Sequence, residues 1–330
     1  MNKVRLPSQD KDRKRPVTAS SSPSRTAVIT GGNNGLGLET ARAIGRDPSW
    51  HLVLACRDPG RAAAAVADLK QSTGNPNIEA RALDLLANAS VRAFADGLRG
   101  AGLPPLRLLI CNAGIQFVAQ MRFNEAGVEG TFQTNHLGHY LLARLLLPDL
   151  AAPARILLVA SGTHDPRQKT GLPEPRFTAV EYLANPPADP AFDRDDPGKA
   201  GRRAYSTSKL CNIMTAYELA RRLDPAKVTV NAFDPGLMPG SGLARDYGFV
   251  MRLAWKFILP AARLFIRNVN TTQISGKALA NLATAQRYAG VTGRYFEGEK
   301  DIPSSDLSYD REKSALLWAG SAALAGLDAA

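Results

Sequence analysis

The sequence predicts an α/β fold in which a parallel β-sheet is flanked by helices. Short apolar stretches, typical of buried strands, alternate along the chain with helical stretches, which is the pattern of consecutive βαβ units. The first strand leads directly into a glycine-rich turn and then a helix. The polar motifs that follow lie just after predicted strands. Because parallel strands share one carboxyl edge, ligands are expected to bind there.

The composition indicates a globular protein of one large or two modest domains, and we expect a single domain over residues 26–330. The chain has 330 residues, 45% hydrophobic and 22% charged. Three cysteines without a C-x-x-C spacing fit a reducing compartment, so we expect a cytoplasmic protein. No apolar stretch of membrane-spanning length and no secretory signal is predicted.

The charge is strongly positive, but much of the excess is local. The net charge is +11, which permits nucleotide phosphates, nucleic acid or an acidic membrane surface as partners. Residues 1–25 contain seven basic and two acidic side chains and are rich in Ser and Pro. This composition predicts a disordered tail, with a nucleic-acid arm or targeting peptide as the alternatives. We expect no nucleic-acid partner for the folded domain.

The first predicted strand, 25–30, runs into a T-G-x-x-x-G-x-G turn and a helix over 38–44. Glycines let the backbone approach a pyrophosphate, and the free N–H groups and dipole of a helix N-terminus stabilise its charge. The turn is therefore a candidate dinucleotide site. Its candidate cofactor-binding residues are Gly31, Asn33, Asn34, Gly35, Leu36 and Gly37.

The second predicted strand, 51–56, is followed at once by Arg57. In a dinucleotide fold, an acid at this position binds the 2′-OH of NAD, whereas an Arg accommodates the 2′-phosphate of NADP. Cys56 stands in the place of the acid. We therefore expect NADPH/NADP⁺ as the cofactor, with an ordinary solvated arginine as the alternative interpretation.

The remaining elements continue the alternation. The connection 162–204 is long for a compact domain and predicts a functional excursion over the site. His136 and His139 lack further ligands nearby in sequence, so no metal site is predicted. Strands are predicted over 78–85, 106–110, 155–160, 228–233 and 293–296, and helices over 61–71, 90–99 with Ser90 as N-cap, 131–148, 205–223, 274–289 and 310–327.

Tyr205 and Lys209 lie four residues apart on a predicted helix, so their side chains share one face. An ammonium beside a phenol favours the phenolate, which suits a proton donor to a carbonyl oxygen. The pair alone also occurs on many helices without such a role.

The whole set of motifs resembles the short-chain dehydrogenase/reductase family over about residues 25–310. That resemblance implies a Rossmann fold, a doubly wound parallel sheet of about seven strands. Cys111 stands where the family usually has the first Asn of N-N-A-G. The motifs that carry the resemblance are Thr30–Gly37, Asn112–Gly114, Asn135, Ser161, Tyr205-x-x-x-Lys209 and Pro235–Gly236.

The resemblance also implies roles for individual residues. Tyr205 is then the acid/base, Ser161 orients the carbonyl, and Lys209 holds the nicotinamide ribose and lowers the pKa of Tyr205. Asn135 supports a water relay and Asp84 binds adenine. The remaining residues implied to contact the cofactor or to steady the sheet beside it are Asn112, Ala113, Gly114, Pro235 and Gly236.

A closer similarity is to retinol-dehydrogenase-like reductases and light-dependent protochlorophyllide reductases. It is carried by residues 55–58, 135–139, 208–212 and the 162–204 insertion. The chlorophyll enzymes usually have a cysteine directly after Pro-Gly, where this chain has Leu237. We therefore expect an NADPH-dependent reductase or alcohol dehydrogenase. The alternatives are a light-dependent ring reductase and a non-catalytic nucleotide-sensing protein.

Residues 237–270 are implied to form a substrate lid, which suggests a small hydrophobic ketone or aldehyde as substrate. If 249–267 is helical, four basic side chains fall within about 60° of arc on an otherwise apolar surface. Such a basic stripe on an apolar helix fits a peripheral membrane contact, the lining of a hydrophobic pocket or a subunit contact in a homo-oligomer.

Overall fold

The computed structural model describes residues 22–238 and 270–329. Most of the predicted tail, most of the predicted lid and the whole basic stripe over 249–267 lie outside the described residues. Arg25, the last residue assigned to the tail, is instead the first residue of a strand. Its guanidinium bonds Asp47 at 2.6 Å and lies 4.4 Å from the centre of the Trp50 ring.

One eight-stranded sheet forms the centre of the molecule, in the order β3-β2-β1-β4-β5-β6-β7-β8. The first seven strands are parallel and β8 is antiparallel to β7, which confirms the predicted doubly wound parallel sheet. The strands are β1 Arg25–Thr30, β2 Trp50–Cys56, β3 Ile78–Ala82, β4 Leu106–Cys111, β5 Leu150–Val159, β6 Val228–Asp234, β7 Tyr295–Glu297 and β8 Lys300–Asp301.

Both faces of the sheet are buried, because successive residues of each strand point to opposite sides. In β1, Val28 belongs to one hydrophobic core, whereas Ala27 and Ile29 belong to the other. This explains why β1, β2 and β4 read as largely apolar runs, whereas β3 at the end of the sheet alternates between buried and more exposed residues.

Helices cover the two faces. None of the described helices is long and apolar enough to cross a bilayer. The helices are α1 Gly35–Gly45, α2 Pro59–Thr73, α3 Asn88–Arg99, α4 Gly130–Phe132, α5 Gly138–Leu146, α6 Val180–Ala184, α7 Pro197–Arg222, α8 Thr272–Thr284 and α9 Arg311–Ala325.

The predicted helix over 131–148 is present over residues 130–146, but it contains a π-helical turn, Gln133–Leu137, between α4 and α5. At the end of this turn the helix presses against the loop after β3. A Cβ on Gly138 would lie 2.5 Å from the carbonyl oxygen of Leu85, so only glycine fits there. The wider turn carries Asn135, and π-turns are frequent at functional sites.

Several predicted boundaries also move. β3 ends at Ala82 and α3 begins at Asn88, so Ser90 is not the N-cap. Its hydroxyl instead accepts the backbone N–H of Asp84 at 2.9 Å. α7 begins eight residues before Tyr205, where Asp196 caps the helix and Pro197 occupies its first position. α8 ends at Thr284 and not at 289.

A close contact between α1 and α8 gives a test of the packing. Gly276 is buried, and a Cβ on it would lie 2.6 Å from the Glu39 Cβ and 2.9 Å from the Thr40 backbone nitrogen. We expect Gly276→Ala to lower the free energy of unfolding by about 1–3 kcal/mol in urea titrations, because the helix backbones must move apart.

The matched control is Gly97→Ala in α3. Gly97 is exposed and a Cβ there would meet nothing within 4 Å. Alanine at this position should raise the free energy of unfolding by about 0.5–1 kcal/mol, because it restricts the unfolded chain. Equal effects of the two substitutions would contradict the packing described for α1 and α8.

Candidate active site

A large cleft lies along the carboxyl edge of the parallel strands, as predicted. Its volume is about 1310 Å³, and both polar and apolar side chains line it. The glycine turn after β1, the residues after β2 and β4, Ser161 after β5, Pro235–Gly236 after β6, and Tyr205 with Lys209 on α7 all contribute to its walls. Of the predicted site residues, only Gly37 and Asn135 are not among those lining the cleft; both lie directly behind its wall.

The glycine turn needs glycine at two positions. Gly31 has φ +63°, and a Cβ on Gly37 would lie 2.5 Å from both the Asn112 amide nitrogen and the Gly31 carbonyl oxygen. Asn34 caps α1 by accepting the Gly35 N–H at 2.8 Å. The first turn of α1 has no acidic residue, so the N-terminal end of this helix faces the cleft without a competing negative charge.

The motif after β4 is fastened to the end of β1 through Thr30. The Thr30 hydroxyl accepts the backbone N–H groups of Asn112 and Ala113 at 2.9 and 3.0 Å. The Asn112 amide in turn donates to the Thr30 carbonyl at 2.8 Å. The turns after β1 and β4 therefore form one rigid wall, which agrees with the supporting role predicted for Asn112–Gly114.

Arg57 lies at the cleft beside β2. Its side chain is exposed and makes no ion pair or hydrogen bond with any other residue that the structure describes. Cys56 beside it is buried, and burial raises the pKa of its thiol to about 11, so it remains a neutral thiol. Asp84 also lines the cleft, where its carboxylate accepts the Leu86 N–H at 3.0 Å. The arginine is free to bind an anion at this end.

Tyr205 and Lys209 share one face of α7, as predicted. The Lys209 Nζ lies 5.5 Å from the centre of the Tyr205 ring and donates to the Val159 carbonyl at 3.1 Å. Lys209 is 3% exposed, and burial lowers the pKa of its ammonium to about 8, opposed by the negative charge of Asp234. A Cβ on Gly114 would be 3.5 Å from the same Nζ. Lysine, tyrosine and the β4 turn thus meet at one point.

Asn135 stands behind this point and holds the chain after Gly114. Its amide oxygen accepts the Ile115 N–H at 2.8 Å, and its amide nitrogen donates to the Ile115 carbonyl at 2.9 Å and to the Ser208 hydroxyl at 3.0 Å. Ser208 donates to the Tyr205 carbonyl at 2.7 Å. Because both amide hydrogens are used, the visible role of Asn135 is positioning, and its part in a water relay stays a prediction.

Ser161 follows β5 by two residues and lines the cleft. Its hydroxyl accepts the Thr163 N–H at 3.4 Å and its carbonyl accepts the His164 Nδ1–H at 2.7 Å. The other ring nitrogen of His164 accepts the Ser305 N–H at 3.0 Å. Burial lowers the pKa of His164, which fits a neutral ring with this tautomer. The histidine therefore fixes the turn that presents Ser161.

Asp234 is a cleft residue that sequence reasoning did not assign. It ends β6 just before Pro235–Gly236, is 1% exposed, and accepts the Tyr295 hydroxyl and the Gly236 N–H, both at 2.9 Å. Burial raises the pKa of its carboxyl. Gly236 has φ +75°, so the carboxyl shapes a turn that needs glycine. A lone acid closing an apolar strand beside Pro-Gly was the pattern that could have identified it.

The two histidines of the π-turn region are buried and hydrogen-bonded to neighbouring elements. His139 contacts the Thr30 hydroxyl at 2.8 Å and the Asn135 carbonyl at 2.9 Å. His136 contacts the Ser321 hydroxyl at 3.0 Å. Burial lowers the pKa of His136 to about 3 and of His139 to about 4. No group of residues suited to a metal ion occurs within 22–238 and 270–329.

The geometry fits a dinucleotide. A helix N-terminus without acidic neighbours suits a pyrophosphate, and the glycine turn leaves the backbone open to it. Arg57 lies on the β2 side of that helix, whereas Tyr205, Lys209 and Ser161 lie on the β5 side. A dinucleotide laid across the turn therefore has one end at the free arginine and the other at the tyrosine.

Comparisons with known proteins agree with this arrangement. Residues 25–170 match the model of the short chain dehydrogenase family. Human retinol dehydrogenase 13 is 33% identical over 314 residues, covering 93% of this chain and 86% of that protein. Protochlorophyllide reductase of Avena sativa is 32% identical over 324 residues, covering 91% and 99% of the two chains.

Two further matches are a longer protein and a solved structure whose name states no function. The chain spans 66% of the human WW domain-containing oxidoreductase, with 33% identity over 300 residues, or 89% of this chain. A solved structure titled a putative uncharacterized protein from Mycobacterium Paratuberculosis superposes with a TM-score of 0.66 and 28% identity, covering 94% of this chain and 96% of that one. The chain thus belongs to the short-chain dehydrogenase family, in the branch that includes retinol dehydrogenases and protochlorophyllide reductases.

Proposed function

We propose that this protein is an NADPH-dependent reductase of a hydrophobic ketone or aldehyde, or oxidises the corresponding alcohol, with Tyr205 as acid/base. The observation that carries this proposal is the meeting of Tyr205, Lys209 and Ser161 at one end of a dinucleotide-sized cleft. NADPH supplies the hydride when bound. The side chains at the meeting point have the chemistry that the accompanying proton transfer requires.

The cofactor assignment rests on the two ends of the cleft. The N-terminus of α1 is placed to bind the pyrophosphate, and the unpaired guanidinium of Arg57 to bind a 2′-phosphate. At the other end, Lys209 is placed to hold the nicotinamide ribose. Gly114 lies beside this lysine, since a Cβ on Gly114 would be in van der Waals contact with the Lys209 ammonium at 3.5 Å.

The proton assignment follows from burial and neighbours. Tyr205 is 7% exposed and contributes to the wall of the cleft. As hydride arrives at the carbonyl carbon, the Tyr205 hydroxyl gives its proton to the carbonyl oxygen, and the O–H bond breaks as the alcohol O–H forms. The Ser161 hydroxyl is placed to donate a hydrogen bond that orients the same oxygen. Lys209, when protonated, stabilises the phenolate that remains.

The apolar lining supports a hydrophobic substrate. Ile115, Leu172, Leu237 and Met238 contribute to the wall near the ends of β4 to β6. These side chains remove water from around the carbonyl, which strengthens the electrostatic interactions of the proton donor.

Light-dependent reduction is the second candidate, supported by the similarity to an Avena sativa protochlorophyllide reductase over 99% of that protein. Leu237 is the observation against it. This side chain follows Pro235–Gly236 and lies at the cleft, where a leucine offers neither a thiol nor a proton.

Illumination separates the two candidates. We expect the protein to consume NADPH in darkness with a lipophilic aldehyde or ketone, followed by the loss of absorbance at the nicotinamide band. With NADPH and protochlorophyllide, spectra before and after a flash should be identical. Conversion to chlorophyllide only after the flash would instead establish the photochemical reaction. NADPH binding without any turnover would favour a nucleotide-sensing role.

A further inference from the structure

We propose that Lys169 binds an anionic group of the substrate, namely a carboxylate. The preferred substrate is then a lipophilic carbonyl compound that also carries a carboxylic acid. This inference rests on the proposed reductase function for its reaction, but the binding site itself does not depend on it. Lys169 belongs to the 162–204 insertion and lines the cleft. The roles proposed above for the other cleft residues do not involve this lysine.

The first support is the charge balance of the cleft. Four acids line it and each is engaged: Asp58 with Arg61, Asp68 with Arg42, Asp84 with a backbone N–H, and Asp234 with Tyr295. Of the described cations, Lys209 is buried against the Val159 carbonyl. Within the described part of the cleft, this leaves Arg57 and Lys169 as the cations without a hydrogen-bonding or ionic partner.

The second support is the position of the two free cations. Arg57 follows β2, whereas Lys169 is carried by the segment that follows β5, the same segment that presents Ser161. Three inter-strand steps separate β2 from β5, roughly 14 Å at the spacing of paired strands. A cofactor with its phosphates at α1 and Arg57 therefore leaves Lys169 at the reactive end, where the substrate binds.

The third support is the unfavourable backbone conformation in which the fold holds this lysine. Lys169 has φ 47° and ψ 46°, and it is the one non-glycine residue with positive φ in the described structure. That conformation is unfavourable for a lysine, and such strain persists only where the surroundings enforce it, often at ligand sites.

The surroundings that enforce it are visible. Arg167 forms a two-pronged ion pair with the buried Asp165, donates to the Ser304 carbonyl at 2.9 Å and lies 3.3 Å from Asp306. The Gln168 amide lies directly over Gly162, where a side chain would displace it. The residues between Ser161 and Lys169 are thus fixed to one another and to residues 304–306.

A matched substrate pair tests the proposal. We expect the protein to reduce 8-oxooctanoate with a kcat/KM about five- to tenfold above that for the neutral isostere 8-oxooctanamide, the effect of one partly exposed charge-assisted contact. Lys169→Gln should bring the ratio to about one, and Lys169→Glu should invert it. NADPH dissociation constants should match those of the unmutated protein throughout.

The control is Lys227→Gln. Lys227 is also an exposed lysine without an ion pair to a described residue. It lies just before β6, at the amino ends of the strands and therefore away from the cleft at their carboxyl ends. Its substitution changes the net charge equally and should leave the ratio as it is. A ratio near one in the unmutated protein, or an equal response of both lysine variants, would overturn the proposal.

A binding measurement keeps this inference separate from the proposed reaction. Octanoate should bind the protein–NADP⁺ complex more tightly than octanamide by calorimetry, and Lys169→Gln should remove the difference. That result without turnover of either aldehyde supports the anion site while the reductase proposal fails. Turnover of both aldehydes without any charge preference refutes the anion site and leaves the reductase proposal standing. A weaker NADPH affinity in Lys169→Gln would assign the lysine to the cofactor and also overturn the proposal.

Discussion

Tyr205→Phe is expected to lower kcat for an accepted carbonyl substrate by two orders of magnitude or more, roughly the size of a general-acid contribution, with little change in the NADPH dissociation constant. The substitution removes one oxygen and keeps the aromatic ring, which is almost fully buried at the wall of the cleft. The loss of kcat then reports the proton that the hydroxyl supplies to the carbonyl oxygen. Stopped-flow measurement of NADPH oxidation, with fluorescence titration of NADPH binding, checks both parts.

Tyr140→Phe is the matched control, because Tyr140 is also buried and its hydroxyl donates to the Trp318 carbonyl at 3.2 Å and accepts from Arg144 at 2.7 Å. Loss of that hydroxyl removes a structural hydrogen bond away from the cleft, so it should reduce stability by about 1 kcal/mol and preserve kcat. Undiminished turnover in Tyr205→Phe would remove Tyr205 as the proton donor. An equal loss in both variants would show that packing, not proton transfer, causes the effect.

Arg57→Ala is expected to abolish a preference for NADPH over NADH. A guanidinium–phosphate contact contributes about 1.5–3 kcal/mol, so the unmutated protein should bind NADPH roughly ten- to a hundredfold more tightly than NADH. In the variant the two dissociation constants should become nearly equal, because NADPH loses the contact that NADH never makes. Titrations at low and high salt should also show that the preference shrinks as salt screens the charge.

The control for this prediction is Arg46→Ala. Arg46 is exposed and follows α1 at its C-terminal end, away from the glycine turn, so its removal changes the net charge without touching the cleft. Both dissociation constants should keep their ratio. Equal binding of NADPH and NADH by the unmutated protein would contradict the role assigned to Arg57.

Much of the architecture could be predicted because local patterns specify it. The sheet's central strands are continuous apolar runs, and the glycine turn has a fixed spacing between strand and helix. The pairing of Tyr205 with Lys209 follows from helix periodicity alone. These features depend on residues that are close together in sequence, so the local sequence is enough to predict them.

The features that could not be predicted depend on contacts between distant residues. The π-turn arises where Gly138 meets Leu85, and Ser90 serves the loop at Asp84 instead of capping its own helix. Asp234 was overlooked because its partner Tyr295 lies 61 residues later. The predicted start of α7 at Tyr205 was wrong for a different reason, since the helix start at Asp196–Pro197 is a local pattern that the sequence does contain.

The anchoring of the Ser161 turn to residues 304–306 has a consequence for biosynthesis. Asn135, Ser161, Tyr205 and Lys209 have all left the ribosome while the segment that receives His164 and Arg167 is still to be made. A nascent chain ending after β6 contains all four of these residues. The turn that presents Ser161 and Lys169, however, still lacks its contacts with residues 304–306. This turn should therefore reach its folded arrangement late, only after the chain beyond β8 has been made and has docked.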